Sequence, residues 1–190
     1  MFRKRTLKLD LHTHPFEAMG FPQPTLETVG RIVKMVKRKG IDGIAITEHE
    51  NKDYGFKAAQ IASKHFNDIL ILPGWEITLP GEGSEISRQV VEIFIDEKIF
   101  RFQAHPIVEK TEILKQCHGI EVYNLLHKDE LNQNFAERLA KKYGLIPLTN
   151  SDAHSLEKIG NCYNEISIED LIQQIEKFRF SKKDSLDFRS

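Results

Sequence analysis

Residues 10–14 read Asp-Leu-His-Thr-His, and Pro15 follows. Leu7, Leu9 and Leu11 alternate with Lys8 and Asp10, which is the period of a strand. Side chains two apart on a strand point to the same side. His12 and His14 should therefore face one way together, at or just past the strand's end. Pro15 has no N–H for a ladder and marks where pairing stops. Two neutral imidazoles converging on one point suit a metal ion, whereas an isolated pair of this kind is more often solvated loop. What decides is whether other ligand-type residues stand at the ends of other strands.

The elements that must position such residues can be read from periodicity. Strands are predicted at 7–11, 43–47, 69–72, 90–95, 101–104, 120–123 and 145–149. Helices are predicted over 26–39, 53–66, 129–143 and 168–179. The first has Thr25 as N-cap, one face made by Leu26, Val29, Val33 and Val36, and Gly40 just past its end. Alternating strand and helix imply an α/β chain with a parallel sheet, and about seven strands allow a closed or distorted barrel. Only five residues separate 90–95 from 101–104, too few for a parallel crossover. Those two strands should pair antiparallel, or one should leave the barrel, giving a trimmed, irregular region around 90–105.

In parallel barrels chemistry collects on the loops after the strands. His12 and His14 follow the first strand, Glu48, His49 and Glu50 the second, and Glu76 the third. His105 follows strand 101–104, and Asp152 and His154 follow 145–149. Five of the eight histidines thus gather at one end of one sheet, beside several carboxylates. His65 and His118 are expected elsewhere, and His127 is expected to stay outside the site. Imidazoles with carboxylates and no thiolate suit zinc, manganese or iron.

Composition sets the outer limits. The chain has 190 residues, about one domain's worth, with 40% hydrophobic residues and a formal charge of −1. No basic excess exists to neutralise nucleic-acid phosphates in bulk. Cys117 and Cys162 are too few and too far apart for a disulfide framework or zinc ribbon. No membrane-length or signal-like apolar run is evident, so a cytoplasmic protein is expected. One domain is expected over 1–180, with a polar tail at 181–190.

The stretches LDLHTHP, GIDGIAITEHE, ILPGWEIT, AHP, GIEVYN and PLTNSDAHSLEKIGN resemble, in order, the motifs of the polymerase-and-histidinol-phosphatase (PHP) metallohydrolase family. They span residues 9 to about 161. The resemblance implies a distorted (β/α)7 barrel holding two to three divalent ions. It implies that His12, His14, Glu76 and Asp152 hold one ion. Glu76 would bridge to a second ion bound also by His105, and His49 and His154 would hold a third.

Three departures from the family pattern stand out. Thr47-Glu48-His49 replaces the usual Thr-Asp-His. Five or six residues after the His-x-His pair the family supplies His or Asp, but here stand Met19 and Gly20, leaving Glu17 as the candidate ligand. On the strand after Glu76, where many members carry a histidine, the chain offers only Gln89 or Glu92. Glu121 either orients a histidine ligand or is a solvated edge residue. The loop 80–87, PGEGSEIS, lacks the Gly-Lys-Ser/Thr of a phosphate loop and reads as a mobile segment. Arg88, Arg101 and Lys128 are candidate phosphate clamps.

The expected activity is hydrolysis of a phosphate ester of a small molecule or nucleotide, with a metal-held hydroxide attacking phosphorus in line. Asp152 or His154 would hand a proton to the leaving oxygen. Two alternatives stand beside it: a metal-dependent hydrolase of C–N or carboxylic ester bonds, and a non-catalytic metal-binding or scaffold module.

Overall fold

The computed structural model describes residues 5–79, 88–107 and 116–178. The loop 80–87 and the tail 181–190 singled out above lie outside these residues. Among the described residues the strands are β1 (Leu7–Asp10), β2 (Gly43–Ile46), β3 (Leu70–Leu79), β4 (Arg88–Ile95), β5 (Lys98–Gln103), β6 (Gly119–Asn124), β7 (Ile146–Asn150) and β8 (Asn164–Ile166). The α-helices are α1 (Leu26–Lys39), α2 (Asp53–His65), α3 (Gln133–Tyr143) and α4 (Ile168–Lys177). All eight strands form one sheet in the order β7-β6-β5-β4-β3-β2-β1-β8.

The seven expected strands are present, and β8 adds an eighth, antiparallel to β1. The pairs β1–β2, β2–β3, β5–β6 and β6–β7 are parallel. The irregularity expected around 90–105 is an antiparallel run, β3–β4–β5, with a two-residue connection between Ile95 and Lys98. Gly74 permits it, because a Cβ there would lie 2.7 Å from the Glu92 carbonyl oxygen. Strand β3 extends six residues past Pro73, so Glu76 lies within a strand and not after one.

Closure of the barrel relies on side chains. Asn164 donates from Nδ2 to the carbonyls of Thr149 (3.0 Å) and Leu9 (3.2 Å), and its Oδ1 accepts from the Thr149 N–H at 2.8 Å. The Leu11 N–H donates to Asn150 Oδ1 at 3.1 Å. Beyond the strand ends the backbones meet, with the Asp152 N–H on the His12 carbonyl and the His14 N–H on the Ala153 carbonyl. This seam sets the chain end of β1 directly against that of β7.

Three apolar clusters hold the layers. Leu9, Leu11, Ala45, Val91, Phe102 and Leu148 pack with Leu171 of α4. Val29, Ile32, Val33 and Val36 of α1 and Ala58 and Ala62 of α2 cover Ile44 and Ile46 of β2. Ala136 and Ala140 of α3 cover Ile120 and Val122 of β6. Burying each large aliphatic side chain contributes about 1.5–3 kcal/mol. Helix α1 has the expected bounds, with the Thr25 hydroxyl accepting from the Thr28 N–H and Gly40 in the left-handed conformation. Its inner face uses Ile32 in place of Leu26, which is exposed. Helix α3 begins at Gln133, four residues later than predicted, because Asn132 caps it and 125–131 form turns.

Candidate metal centre

Glu76 is the middle of the site. Its carboxylate lies 3.4 Å from His12 Nε2, 3.6 Å from His14 Nε2, 3.0 Å from His49 Nε2 and 3.2 Å from His105 Nε2. Four imidazoles from three chain segments therefore converge on one buried carboxylate. The register of β3 places it there. Glu76 pairs with Val91 across the β3–β4 ladder, and His49, just past β2, bridges to Glu76. Trp75 faces the other side, donating from Nε1 to Glu92 Oε2 at 2.9 Å, and Glu92 also accepts from Arg101 Nε. Glu92 and Arg101 are thereby turned away from Glu76, and of the two β4 candidates only Gln89 shares its face.

Asp152 closes the cluster from the β7 side. Its Oδ1 lies 3.2 Å from His14 Nε2, 3.6 Å from His12 Nε2 and 3.5 Å from His154 Nδ1. Its backbone is left-handed, φ 51°. Such a conformation costs a non-glycine residue about 1–3 kcal/mol and persists where the surroundings impose it. Here the Asp152 N–H is held by the His12 carbonyl, and its Oδ2 accepts from Asn124 Nδ2 at 3.2 Å.

A second ring of carboxylates orients the first. Glu121 is fully buried and accepts from His12 Nδ1–H (2.9 Å), the His105 N–H (2.8 Å), Asn124 Nδ2 (2.9 Å) and Asn150 Nδ2 (2.8 Å). Because Glu121 only accepts, a hydrogen is fixed on His12 Nδ1, and Nε2, which faces Glu76 and Asp152, is the atom left to ligate a cation in place of its proton. Asp10 accepts from the Ser151 hydroxyl and from the Ser151 and Gly160 N–H groups, anchoring the loop that bears Asp152. Glu48 accepts from the Phe16 N–H (2.7 Å) and Glu17 N–H (3.1 Å). It thereby fixes the turn that presents Glu17 to His49 Nδ1, 2.8 Å away.

The electrostatics follow. Burial opposes charge on His12, but Asp152, Glu76 and Glu121 outweigh it and raise its pKa. His49, in contact with Glu76, is raised to about 9, and burial lowers His14 to about 4. Burial opposes ionisation of Glu76 and Asp152, yet the facing imidazoles hold both below the usual carboxylate range. Burial pushes Glu48 up to about 7 and Asp10 up to about 6 despite their N–H donors.

The donor set fits divalent cations. His12 Nε2, both ring nitrogens of His14 and Asp152 Oδ1 are buried with no hydrogen-bond partner. Native proteins seldom leave such groups unsatisfied. Lone pairs converging without hydrogen bonds are what a cation would bind. Three sets of donor atoms each lie within 4.8 Å of one another: His12, His14 and Glu76; His14, Glu17, His49 and His154; and His105, His127 and Asp152.

All eight candidate ligands, His12, His14, Glu17, His49, Glu76, His105, Asp152 and His154, gather in this one cluster. Their division into groups differs from the one the resemblance implied, since His14 adjoins Glu17, His49 and His154 as well as His12. His127 departs from expectation: it lies against His105, with ring centroids 4.3 Å apart. Its distance in sequence from β6 hid this, because turns 125–131 fold back over the strand end. Arg101 does not reach the site. His118 stays apart, accepting the Arg101 N–H on Nδ1 at 2.9 Å.

Comparison with known proteins bears on this geometry. Residues 131–179 match the family model described as PHP-associated. The uncharacterized protein MJ1587 of Methanocaldococcus jannaschii is 24% identical over 161 residues, 68% of this chain and 89% of that protein. A structure from Bifidobacterium adolescentis, attributed to a metal-dependent phosphoesterase, superposes with TM-score 0.60 at 12% identity, covering 92% of this chain and 97% of the other. PsfC from Pseudomonas syringae gives 0.61 at 17% identity, with 88% of each chain covered. An amidohydrolase from Chromobacterium violaceum, with bound sulfate and no metal, gives 0.56 at 12% identity, over 87% of this chain and 96% of that one. The C-terminal segment is thus similar to the PHP-associated family, and these neighbours share the α/β barrel fold of the chain.

Proposed function

We propose that the protein is a metal-dependent phosphoesterase acting on a phosphorylated small molecule or nucleotide, with two to three divalent ions held by His12, His14, Glu17, His49, Glu76, His105, Asp152 and His154. The observation that carries this reading is the Glu76 carboxylate set among four imidazoles, with Asp152 opposite. When bound, zinc, manganese or iron would polarise a phosphoryl oxygen and acidify water to a pKa near ~7. Glu76 lies where it can bridge adjacent ions. Glu121 keeps the hydrogen of His12 on Nδ1 and so leaves Nε2 free to ligate.

For the proton on the leaving oxygen, His154 is the better candidate. Asp152 is held ionised by the facing imidazoles. His154 Nδ1–H donates to the Asp152 carbonyl at 3.0 Å, so its part-exposed Nε2 is the one ring atom that either ligates or carries the proton, and the acid role belongs to the state in which it does not ligate. A cytoplasmic setting agrees with this reading, and no helix among the described residues is long and apolar enough to cross a membrane.

The amidohydrolase among the structural neighbours supports a second reading, hydrolysis of C–N bonds at the same centre. Phosphomonoesters, phosphodiesters, carboxylic esters and amides assayed with Mn2+ and Zn2+ separate the two. Phosphate release that chelator abolishes and metal restores is expected. Turnover of amides alone would replace the proposal with the second reading, and turnover of nothing would favour a scaffold module.

A further inference from the structure

We propose that the cleft between α1 and the end of α2 binds a small organic anion with a flat apolar body. The cleft has a volume of about 370 Å³ and is lined by Gly30, Val33, Lys34, Lys37 and Arg38 of α1 and by Phe66, the residue that ends α2. It is separate from the metal cluster. The last turns of α1 and α2 lead into the starts of β2 and β3, whereas His49 and Glu76 stand toward the other ends of those strands.

Gly30 marks the cleft as more than a gap between two helices. It stands in the second turn of α1, where a glycine weakens a helix relative to alanine through lost backbone entropy. Packing does not demand it. A Cβ there would meet one atom, Phe66 Cζ at 3.5 Å, which is an ordinary contact. Neither the helix nor its neighbours therefore need the glycine. What its missing side chain provides is open space beside the Phe66 ring, whose inner side packs on the apolar cluster around Val33.

The rim of this apolar floor is cationic and only partly neutralised. Lys37 Nζ pairs with Asp68 Oδ2 at 2.7 Å. Lys34 and Arg38, one helical turn apart, have no carboxylate partner among the described residues. The helix dipole draws cations to the last turn, which accounts for Lys37, Arg38 and Lys39. It does not account for Lys34, a turn earlier, or for the open floor. Lys39 is engaged elsewhere, donating to Asn161 Oδ1. Two unpaired cations over Val33 and Phe66 complement a ring that carries a carboxylate or phosphate-like group, the guanidinium of Arg38 offering a planar fork to it. The volume is that of a small-molecule pocket.

The test is titration of the full-length protein with 1-naphthoate and with 1-naphthylphosphonate, neither of which is an ester, followed by the backbone amide shifts of Gly30 and Phe66. Saturable shifts at both amides are expected, and the tighter of the two probes identifies the head group. Acetate and inorganic phosphate, which lack the ring, and 1-naphthalenemethanol, which lacks the charge, should each bind at least about tenfold more weakly. Gly30→Ala should weaken the tighter probe about tenfold while raising the melting temperature by roughly 2–4 °C, since alanine is the better helix former. Lys34→Gln and Arg38→Gln should each weaken it about tenfold with the melting temperature unchanged. Shifts that do not saturate, equal affinity for the charged probes and the neutral alcohol, or affinity unchanged in all three variants would each overturn the proposal.

Discussion

Around Glu76 the candidate centre has two sides that are built differently. On one side His12, His105 and Asp152 are buried, and Glu121 behind them accepts four hydrogen bonds, fixing a ring, a backbone N–H and two amides at once. On the other, Glu17, His49 and His154 have side chains about a third exposed, at 32%, 36% and 31%. There the supporting carboxylate, Glu48, holds only the backbone of a short turn. Both sides have enough donors for a cation. They differ in how much of each donor's freedom is already lost before a cation arrives. The buried side should bind more tightly and resist substitution less, because each change there leaves a buried group unpaired.

The largest break in this contrast should come from Asp152→Asn, which keeps the shape and removes one charge from the buried side. We expect turnover to fall by a factor on the order of 10²–10⁴ and metal affinity to fall with it. The metal-free fold should survive, since less negative charge means less repulsion among carboxylates. Thermal melts with and without chelator, beside steady-state assays, check both halves. Unchanged turnover and metal content would remove Asp152 from the centre.

Glu121→Gln should come next. The amide offers donors where Glu121 only accepts, so the His12 tautomer is no longer fixed. We expect affinity at the His12 side to drop roughly 10–100-fold, as with other lost partners of ligating histidines. Competition between protein and a chromophoric chelator would measure it. If affinity holds while stability falls, Glu121 serves the barrel and not the ion.

On the exposed side Glu17→Gln should have a smaller and local effect, about tenfold or less on one equivalent, because exposed charges are screened. Metal titration resolves it, and simultaneous emptying of all sites would show that the two sides are not separable.

His118 provides the control: a buried imidazole outside the cluster. Burial and then the Arg101 charge lower its pKa to about 4 from 6.5. The unfolded chain therefore binds the proton first, so this stabilisation is full above pH 6.5 and is lost as pH falls toward 4. The expected loss is on the order of 3 kcal/mol at most. Denaturant melts in chelator from pH 7 to 4, on wild type and His118→Gln, should show a flatter slope in the variant. Equal slopes would mean that the cluster histidines carry the whole acid sensitivity.

The strand-end donors were legible because each motif is local: a strand ends, and the next residues point off it. Helix α1 was legible for the same reason, since Thr25 and Gly40 sit at its own ends. The parts that were not legible depend on distant partners. Pro73 read as a strand end, yet β3 runs through it to Leu79 because β4 folds back along it. The three residues of β8 carry little pattern, and Asn164 matters through contacts with Leu9 and Thr149. His127 reads as loop until Asn124 is seen to draw its turn back toward Asp152. Glu121 gave a hint, alternating within an apolar strand, but its four donors come from four separate positions.

Closing the barrel through amide side chains bears on how the protein assembles. Leu11 and Asn150 meet across 139 positions of chain, whereas β4 and β5 are joined by two residues. Loop-closure entropy delays contacts of the first kind, and hairpins of the second kind form in ~1–10 μs. We expect the chain to acquire its affinity for cations only in the final step, when the ends of β1 and β7 dock and bring His12 beside Asp152. A nascent or truncated chain would then be unable to sequester ions prematurely. Pulse-labelled hydrogen exchange during refolding should show the amides of β4 and β5 protected first and that of Asp152 among the last. Early protection of Asp152 would show that the cluster nucleates the barrel instead.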